Sequence, residues 1–215
     1  MRLPLKNLKL YNNCYSSASW RVRIVLNLKN LKYEYIPINI LESEHKTPEY
    51  AQINPMKQVP TLDVDGQLLI ESMAICEFLD ENVPEPQLLF QDPYERAKIR
   101  GFCEMINSGI QPITNLSVLK WLESNNVNSM EWAQYWLTYR FSSLESHLKN
   151  TRGKYCFGDK VSLADVFLLP MIQGTVKRFN LDVTKFPNVQ EITETLKGIK
   201  EFKDAHPLNQ PDSKK

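Results

Sequence analysis

The chain has 215 residues and a formal net charge of +1, and 42% of its residues are hydrophobic and 24% charged. This composition is typical of a globular protein, and the near-neutral charge argues against nucleic acid or an acidic membrane as a partner. The four cysteines stand apart without a C-x-x-C pair and only three histidines are present, which disfavours a metal site and a disulfide framework. We expect no signal peptide and no membrane span, and therefore a cytoplasmic protein.

The first third of the chain predicts a strand–helix–strand unit. Residues 7–12 form the first strand, and residues 33–39 form the second, in which Pro37 favours an edge position. Between them, SWRVRIVLNLKN has helical periodicity and ends near Asn30. Such an order favours a parallel pair of strands. The apolar residues of this helix fall mostly on one stripe and its polar residues lie towards the other side: Val22, Val25, Leu26 and Leu28 on the stripe, and Arg21, Arg23, Asn27 and Lys29 opposite.

A hairpin and a further helix complete this unit. Short apolar runs at 61–64 and 67–70 flank Asp65-Gly66, which is a strong signal for a tight turn. A short helix is expected at 48–53, and Ser72 is expected to cap the helix after the hairpin. Three prolines among residues 83–93 then predict a linker.

The remainder of the chain is helical in character. We expect a long helix over 94–123 with a kink near Gly109 and Pro112, and a capping box at Ser162 and Asp165. Further helices are expected over 131–150 and 187–197. The predicted fold class is α/β plus all-α. It comprises a thioredoxin-like domain with a mixed four-stranded sheet at 1–86, a linker at 87–93 and a helical domain at 94–215.

Three short segments could carry chemistry, and each has a purely structural alternative. The serines at 16–19 precede a helix whose N-terminal N–H groups would stabilise a thiolate, or they simply cap the helix. The bond before the proline of Gln58-Val59-Pro60-Thr61 could be cis and present its backbone to an extended peptide, although a trans bond is far commoner. Glu71 and Ser72 could bind the ammonium and carboxylate of an amino acid, or only begin a helix.

Longer strings carry a family resemblance from about Lys9 to Asp212. They are SSASWRVRIVLNLKNLKYEYIPIN, NPMKQVPTL, DGQLLIESMAICEFLDE, SGIQPITNLSVLK, GKYCFGDKVSLADVFLLP and HPLNQPD. In this order they closely resemble the zeta class of glutathione transferases. The resemblance implies a homodimer in which the thioredoxin-like domain binds glutathione as cofactor and the helical domain covers a small electrophilic substrate.

The resemblance also implies roles for individual residues. Ser16 and Ser17 match the serines of the class motif Ser-Ser-Cys, and the first of them is the usual stabiliser of the glutathione thiolate. Val59 precedes a proline that is cis in the class and matches the residue whose backbone pairs with the cysteinyl part of glutathione. Glu71 and Ser72 match the pair that receives its γ-glutamyl end. The other implied glutathione contacts are Ala18, Ser19, Trp20, Arg21, His45, Gln58, Pro60, Gln111, Asn115, Leu116 and Ser117.

Substrate contacts are implied at Tyr15 and Arg178, and three departures from the class bear on the reaction. Ala18 stands where the class has cysteine, Tyr15 where arginine is usual, and His45 where glutamine is frequent. The loss of arginine removes a charge that would guide a dicarboxylate. Two reactions therefore stay open: isomerisation of maleylacetoacetate-type cis double bonds, as in tyrosine catabolism, or conjugation of haloacids and xenobiotics in detoxification. A catalytically weak glutathione-binding or scaffold protein is the alternative, and a redox role for Cys14 is disfavoured.

Overall fold

The computed structural model describes residues 3–214, which group by their contacts into two compact units. One unit holds residues 3–88 together with 199–214, and the other holds Leu89–Gly198. The predicted domain limits of 1–86 and 94–215 stay a prediction, but the segment after Gly198 groups with the first unit rather than with the helices before it. Within the described range, none of the helices combines the length and apolarity needed to cross a bilayer.

The first unit contains a four-stranded mixed sheet with the order β2-β1-β3-β4. β1 (Leu8–Asn12) pairs in parallel with β2 (Glu34–Pro37) and antiparallel with β3 (Thr61–Val64), which pairs antiparallel with β4 (Gln67–Ile70). The parallel pair and the edge position of β2 confirm the predicted strand–helix–strand unit. The hairpin between β3 and β4 is confirmed as well, because its two turn residues both have the positive φ that a tight turn of this kind requires.

Three helices accompany the sheet in this part of the chain: α1 (Ser17–Leu28), α2 (Pro48–Ile53) and α3 (Ser72–Asn82). Val22, Val25 and Leu26 of α1 are buried and Leu28 is half-buried, while Arg21 and Arg23 are 0% exposed and Lys29 is 5% exposed. The cations on the polar side of this helix are buried because each has buried partners from distant parts of the chain. The N-cap of α3 is Glu71, so the expectation that Ser72 caps it is wrong.

The C-terminal segment returns to the first unit through α9 (Lys200–Asp204) and a 3₁₀ turn at Pro207–Asn209. The side-chain amide of Asn27 donates to the carbonyl of Glu201 at 3.0 Å. The ring of Trp20 meets that of His206 edge-on, with 5.1 Å between the ring centroids. These contacts place residues 199–214 against α1.

The second unit is helical, as predicted. Its helices are α4 (Pro93–Asn107), α5 (Leu116–Ser124), α6 (Ser129–Thr151), α7 (Leu163–Phe179) and α8 (Pro187–Lys197). The single kinked helix expected over 94–123 is instead two helices separated by a 3₁₀ turn at Gln111–Thr114, because Pro112 cannot donate a helical hydrogen bond. The capping box is confirmed: the carboxylate of Asp165 accepts from the Ser162 amide at 2.8 Å and from its hydroxyl at 2.9 Å.

Candidate active site

The register of the sheet brings the three predicted segments of the first unit to one edge. Thr61, the first residue of β3, lies opposite Tyr11 of β1 and Ile70 of β4. β1 continues from this edge into the turn before α1, and β4 continues into the start of α3. β3 begins there, directly after the Val59–Pro60 bond. Segments that are separated by tens of residues in the sequence therefore meet at the same place.

Ser16 occupies the N-cap of α1. Its Oγ accepts a hydrogen bond from the Ser19 amide at 3.2 Å, and its own amide donates to the carbonyl of Asn13 at 3.1 Å. Within residues 3–214 the hydrogen of the Ser16 hydroxyl has no acceptor. A half-buried hydroxyl with a donor to spare thus lies beside the N–H groups of a helix start, which favour an anion.

A buried arginine connects this helix start to the start of α3. Nη1 of Arg21 donates to Oγ of Ser72 at 3.2 Å, and Ser72 is itself buried. Glu71, the preceding residue, has φ 68° and ψ 116°, a backbone conformation that costs a non-glycine residue about 1–3 kcal/mol and that clusters at functional sites. Its exposed carboxylate makes no cap bond. A carboxylate, a hydroxyl and the N–H groups of a helix start therefore lie together, which suits an amino-acid zwitterion.

The Val59–Pro60 peptide bond is cis, as the family resemblance implies and as local statistics alone disfavour. The loop before it is held in place, because the carbonyl of Gln58 accepts from Tyr50 Oη at 2.7 Å and from Asn54 Nδ2 at 2.9 Å. In the described part of the chain, neither the N–H nor the C=O of half-buried Val59 has a hydrogen-bond partner. A fixed loop in which one residue has an unpaired backbone N–H and C=O suits pairing with an extended peptide.

The other predicted residues of the first unit differ in exposure. Trp20 is buried against His206, and Ala18 is half-buried on the first turn of α1, as is Ser17. His45 lies in a 3₁₀ turn, and its side chain is half-buried. Tyr15 is 53% exposed, and its hydroxyl donates to the carbonyl of Lys214 at 3.3 Å. The contacts assigned to these residues stay predictions.

The remaining predicted residues belong to the second unit. Gln111 opens a 3₁₀ turn, and Asn115 is the N-cap of α5 without a side-chain cap bond; Leu116 and Ser117 follow it and are exposed. The guanidinium of exposed Arg178 lies 4.7 Å from the centroid of the Phe179 ring, and desolvation by the neighbouring protein lowers the pKa of this arginine. The glutathione and substrate contacts expected of them also stay predictions.

Sequence reasoning overlooked two residues that bind the turn before α1. The sequence pattern places Arg23 on the polar side of α1, and Asp212 stands out only as the end of a family string. The structure buries Arg23 and places the Asp212 carboxylate on the amide of Cys14 at 3.0 Å. Burial, and then this carboxylate, raise the pKa of Cys14 to about 11, so its thiol stays protonated near neutral pH. The string HPLNQPD, which ends at Asp212, was the sequence signal for the contact between Asp212 and Cys14.

Comparison with known proteins assigns both compact units to one family. Residues 6–81 match the family model of the glutathione S-transferase N-terminal domain, and residues 117–204 match that of the C-terminal domain. The maleylacetoacetate isomerase of Mus musculus is 46% identical over 206 residues, which cover 95% of this chain and 94% of that protein. A zeta-class glutathione S-transferase of Euphorbia esula is 42% identical over 209 residues, which cover 96% of this chain and 92% of that protein.

A solved structure shows the same family relationship. The chain resembles the maleylacetoacetate isomerase of Anaeromyxobacter dehalogenans 2CP-1, a crystal structure with GSH bound in the active site, with a TM-score of 0.89 and 39% sequence identity. The match covers 97% of this chain and 98% of that one.

Proposed function

The chain belongs to the zeta class of the glutathione S-transferases, and we propose that it binds glutathione and uses it to isomerise a small unsaturated acid of the maleylacetoacetate type. The names of the mouse and bacterial relatives support this reaction. The observation that carries the proposal is the Ser16 hydroxyl, which lies at the N-terminus of α1 with its hydrogen available to an anion.

The residues of the first unit fit glutathione along its length. The unpaired backbone N–H and C=O of Val59 suit pairing with the backbone of its cysteinyl residue. The Ser72 hydroxyl and the exposed Glu71 carboxylate suit the carboxylate and ammonium of its γ-glutamyl end. His45, half-buried in its 3₁₀ turn, is proposed to meet the glycine end, with Gln58, Ser17 and Ser19 as further contacts.

Ser16 has two tasks in this proposal. Its oxygen accepts the Ser19 amide, which holds the side chain at the helix start, and its hydrogen is donated to the glutathione sulfur. A hydrogen bond to the charged form and the partial positive charge of the helix start both favour the thiolate, and so both lower the pKa of the thiol. When bound, glutathione supplies a nucleophilic thiolate that adds reversibly to a conjugated double bond. Ala18 leaves this arrangement intact, because the protein needs no thiol of its own.

The acidic substrate is proposed to meet Tyr15 beside the first turn of α1 and Arg178 near the end of α7. Gln111, Asn115, Leu116 and Ser117 are proposed to contribute from the second unit. Arg178 is suited to this task because its exposed, planar guanidinium can donate two parallel hydrogen bonds to a carboxylate. Tyr15 provides a hydroxyl but no charge, so conjugation of haloacids and other electrophiles stays the competing reaction for the same site.

Two further proposals concern the setting of the enzyme. We propose that it works in the cytoplasm, because all four of its cysteines are buried and none forms a disulfide in the described chain, as expected in a reducing compartment. We also propose that it acts as a homodimer, as the family resemblance implies. Sedimentation of the purified chain at micromolar concentration would test the second proposal.

The decisive experiment measures product and thiol together. Purified protein is incubated with glutathione and maleylacetoacetate, and the trans isomer and the free thiol are both quantified; a parallel reaction contains a haloacid. We expect the trans isomer to form with no net loss of thiol. Thiol loss without isomerisation would replace this proposal with conjugation. Glutathione binding in a calorimeter without turnover on either compound would support the scaffold alternative, and no binding at all would contradict the whole proposal.

A further inference from the structure

We propose that the C-terminal segment of the chain positions Ser16, with Asp212 and Arg23 as positioning residues. The proposal rests on the proposed function, since it concerns the hydroxyl assigned to the glutathione sulfur. Residues 13–16 form the turn between β1 and α1, called here the serine turn. The segment that contacts it lies almost 200 residues further along the chain and belongs to the same compact unit.

Asp212 binds the serine turn directly. One carboxylate oxygen accepts the backbone amide of Cys14 at 3.0 Å, and the other accepts the hydroxyl of Tyr35 on β2. The Cys14 thiol contacts the backbone carbonyl of Asp212 at 3.5 Å. Because β2 pairs with β1, this carboxylate fixes the turn relative to the sheet from which it emerges.

Arg23 holds the same turn from the side of α1. Its guanidinium donates to the carbonyl of Cys14 at 2.8 Å, to the carbonyl of Asn13 at 3.2 Å and to the side chain of Asn12 at 3.0 Å. Its Nε donates to the carbonyl of Ala205 in the C-terminal segment at 3.1 Å. This arginine is completely buried, and a buried guanidinium requires such partners, so it ties the segment to the turn.

The bonds within the turn pass this restraint on to Ser16. The carbonyl of Asn13, which Arg23 holds, also accepts the amide of Ser16 at 3.1 Å. The Asn13 side chain accepts the amide of Tyr15 at 3.1 Å and donates to the carbonyl of Ile38 at 3.0 Å. Loss of Asp212 would leave the Cys14 amide without its acceptor and allow the turn to shift. A hydroxyl displaced by a fraction of an ångström would donate less effectively to a thiolate.

The test uses Asp212→Ala, with Asp212→Asn as the conservative variant and Asp204→Asn as the matched control. Asparagine retains an oxygen for the Cys14 amide and offers its NH₂ group to the hydroxyl of Tyr35. Asp204 is an exposed acid of the same segment that pairs with Lys200 on the surface. The readouts are the pKa of the bound glutathione thiol, from the ultraviolet absorbance of the thiolate, and kcat and KM separately.

For Asp212→Ala we expect the pKa of the bound thiol to rise by about half a unit to one unit. At a pH well below the thiol pKa this lowers kcat by roughly three- to tenfold, and KM should change less than twofold. Asp212→Asn should restore most of the loss, and Asp204→Asn should match the wild type. If Asp212→Ala does not fold, Tyr35→Phe removes one of the same hydrogen bonds and should shift the pKa in the same direction by a smaller amount.

A lowered thermal midpoint with an unchanged thiol pKa and kcat would overturn the positioning role, because it would leave Asp212 with a purely structural one. Failure of the proposed function is a separate result. In that case the thiol of glutathione bound to the wild-type protein would titrate near 8.5, its ordinary value, or glutathione would not bind.

Discussion

Replacement of Ser16 by alanine is the most direct test of the catalytic proposal, because one hydroxyl has two separable tasks. Its oxygen caps α1 through the Ser19 amide, and its hydrogen is unengaged in the described structure and is assigned to the glutathione sulfur. Alanine removes both. The two losses appear in different measurements, since the cap acts on the stability of the fold and the donor acts on the acidity of the thiol.

The expected magnitudes follow from these two contacts. Loss of a serine N-cap costs about 1 kcal/mol of folding free energy. A hydrogen bond to a charged group contributes about 1.5–3 kcal/mol, and one pKa unit corresponds to about 1.4 kcal/mol. We therefore expect the pKa of the bound thiol to rise by about one to two units in Ser16→Ala. Because the thiolate is the reactive form, kcat/KM at a pH well below the thiol pKa should fall by about 10- to 100-fold.

The assay combines a spectroscopic titration of bound glutathione with steady-state isomerisation kinetics and urea unfolding. Ser16→Thr is the matched control, because threonine keeps both the cap acceptor and the hydroxyl and should retain most of the activity. Ser17→Ala tests the neighbouring hydroxyl of the same turn. An unchanged thiol pKa in Ser16→Ala, or a larger effect of Ser17→Ala than of Ser16→Ala, would refute the assignment of the donor to Ser16.

Three further predictions concern neighbouring groups. Because burial and Asp212 raise the pKa of Cys14 to about 11, this thiol should react with iodoacetamide at pH 7.5 far more slowly in native than in urea-unfolded protein, and faster only as the pH approaches 11. Peptide mass spectrometry measures the alkylation of Cys14, and equal rates at pH 7.5 would contradict the prediction. Lys29→Met removes the ammonium that lies 2.5 Å from the buried Asp80 carboxylate, which also accepts the Leu88 amide at 3.0 Å, and should cost about 3 kcal/mol in urea unfolding. The double variant with Asp80→Leu should regain most of this because it removes the buried carboxylate as well, and a double variant no more stable than the single would contradict this expectation. Tyr15→Arg adds a positive charge beside α1, worth about 1 kcal/mol to a carboxylate at contact distance in water; KM for a dicarboxylate should fall by roughly fivefold at low salt, and an equal fall for a neutral electrophile or for Tyr15→Phe would exclude a charge effect.

Local signals were sufficient for most of the first unit. The Asp65-Gly66 turn, the Pro37 edge strand and the helix over 48–53 could be predicted because each depends on residues within a few positions of one another. The break between α4 and α5 was harder to predict. Gly109 and Pro112 indicate an interruption, but the sequence does not determine whether the helix bends or stops there.

The cations of α1 show where a pattern confined to one helix fails. Arg21, Arg23 and Lys29 fall on the polar side of the periodic stripe, and a polar side normally faces solvent. All three are buried because their partners come from elsewhere in the chain: Arg21 and Lys29 reach partners 51 residues away, and Arg23 reaches one 182 residues away. Helical periodicity contains no information about partners at that distance along the chain.

The same reasoning explains why the candidate site was easier to find than the groups that position it. A serine before a periodic helix is a short pattern, and the sheet register then brings it to the edge shared with Val59 and Glu71. Asp212 has no comparable pattern, since a single acid in a polar, proline-containing stretch resembles any solvated side chain. If Asp212 does position the serine turn, a chain could keep every residue of SSASWR and still lose thiol activation through one substitution near its C-terminus. Motif identity alone would then overestimate activity in this family, and Asp212→Ala, which leaves that motif unchanged, is the variant that would reveal it.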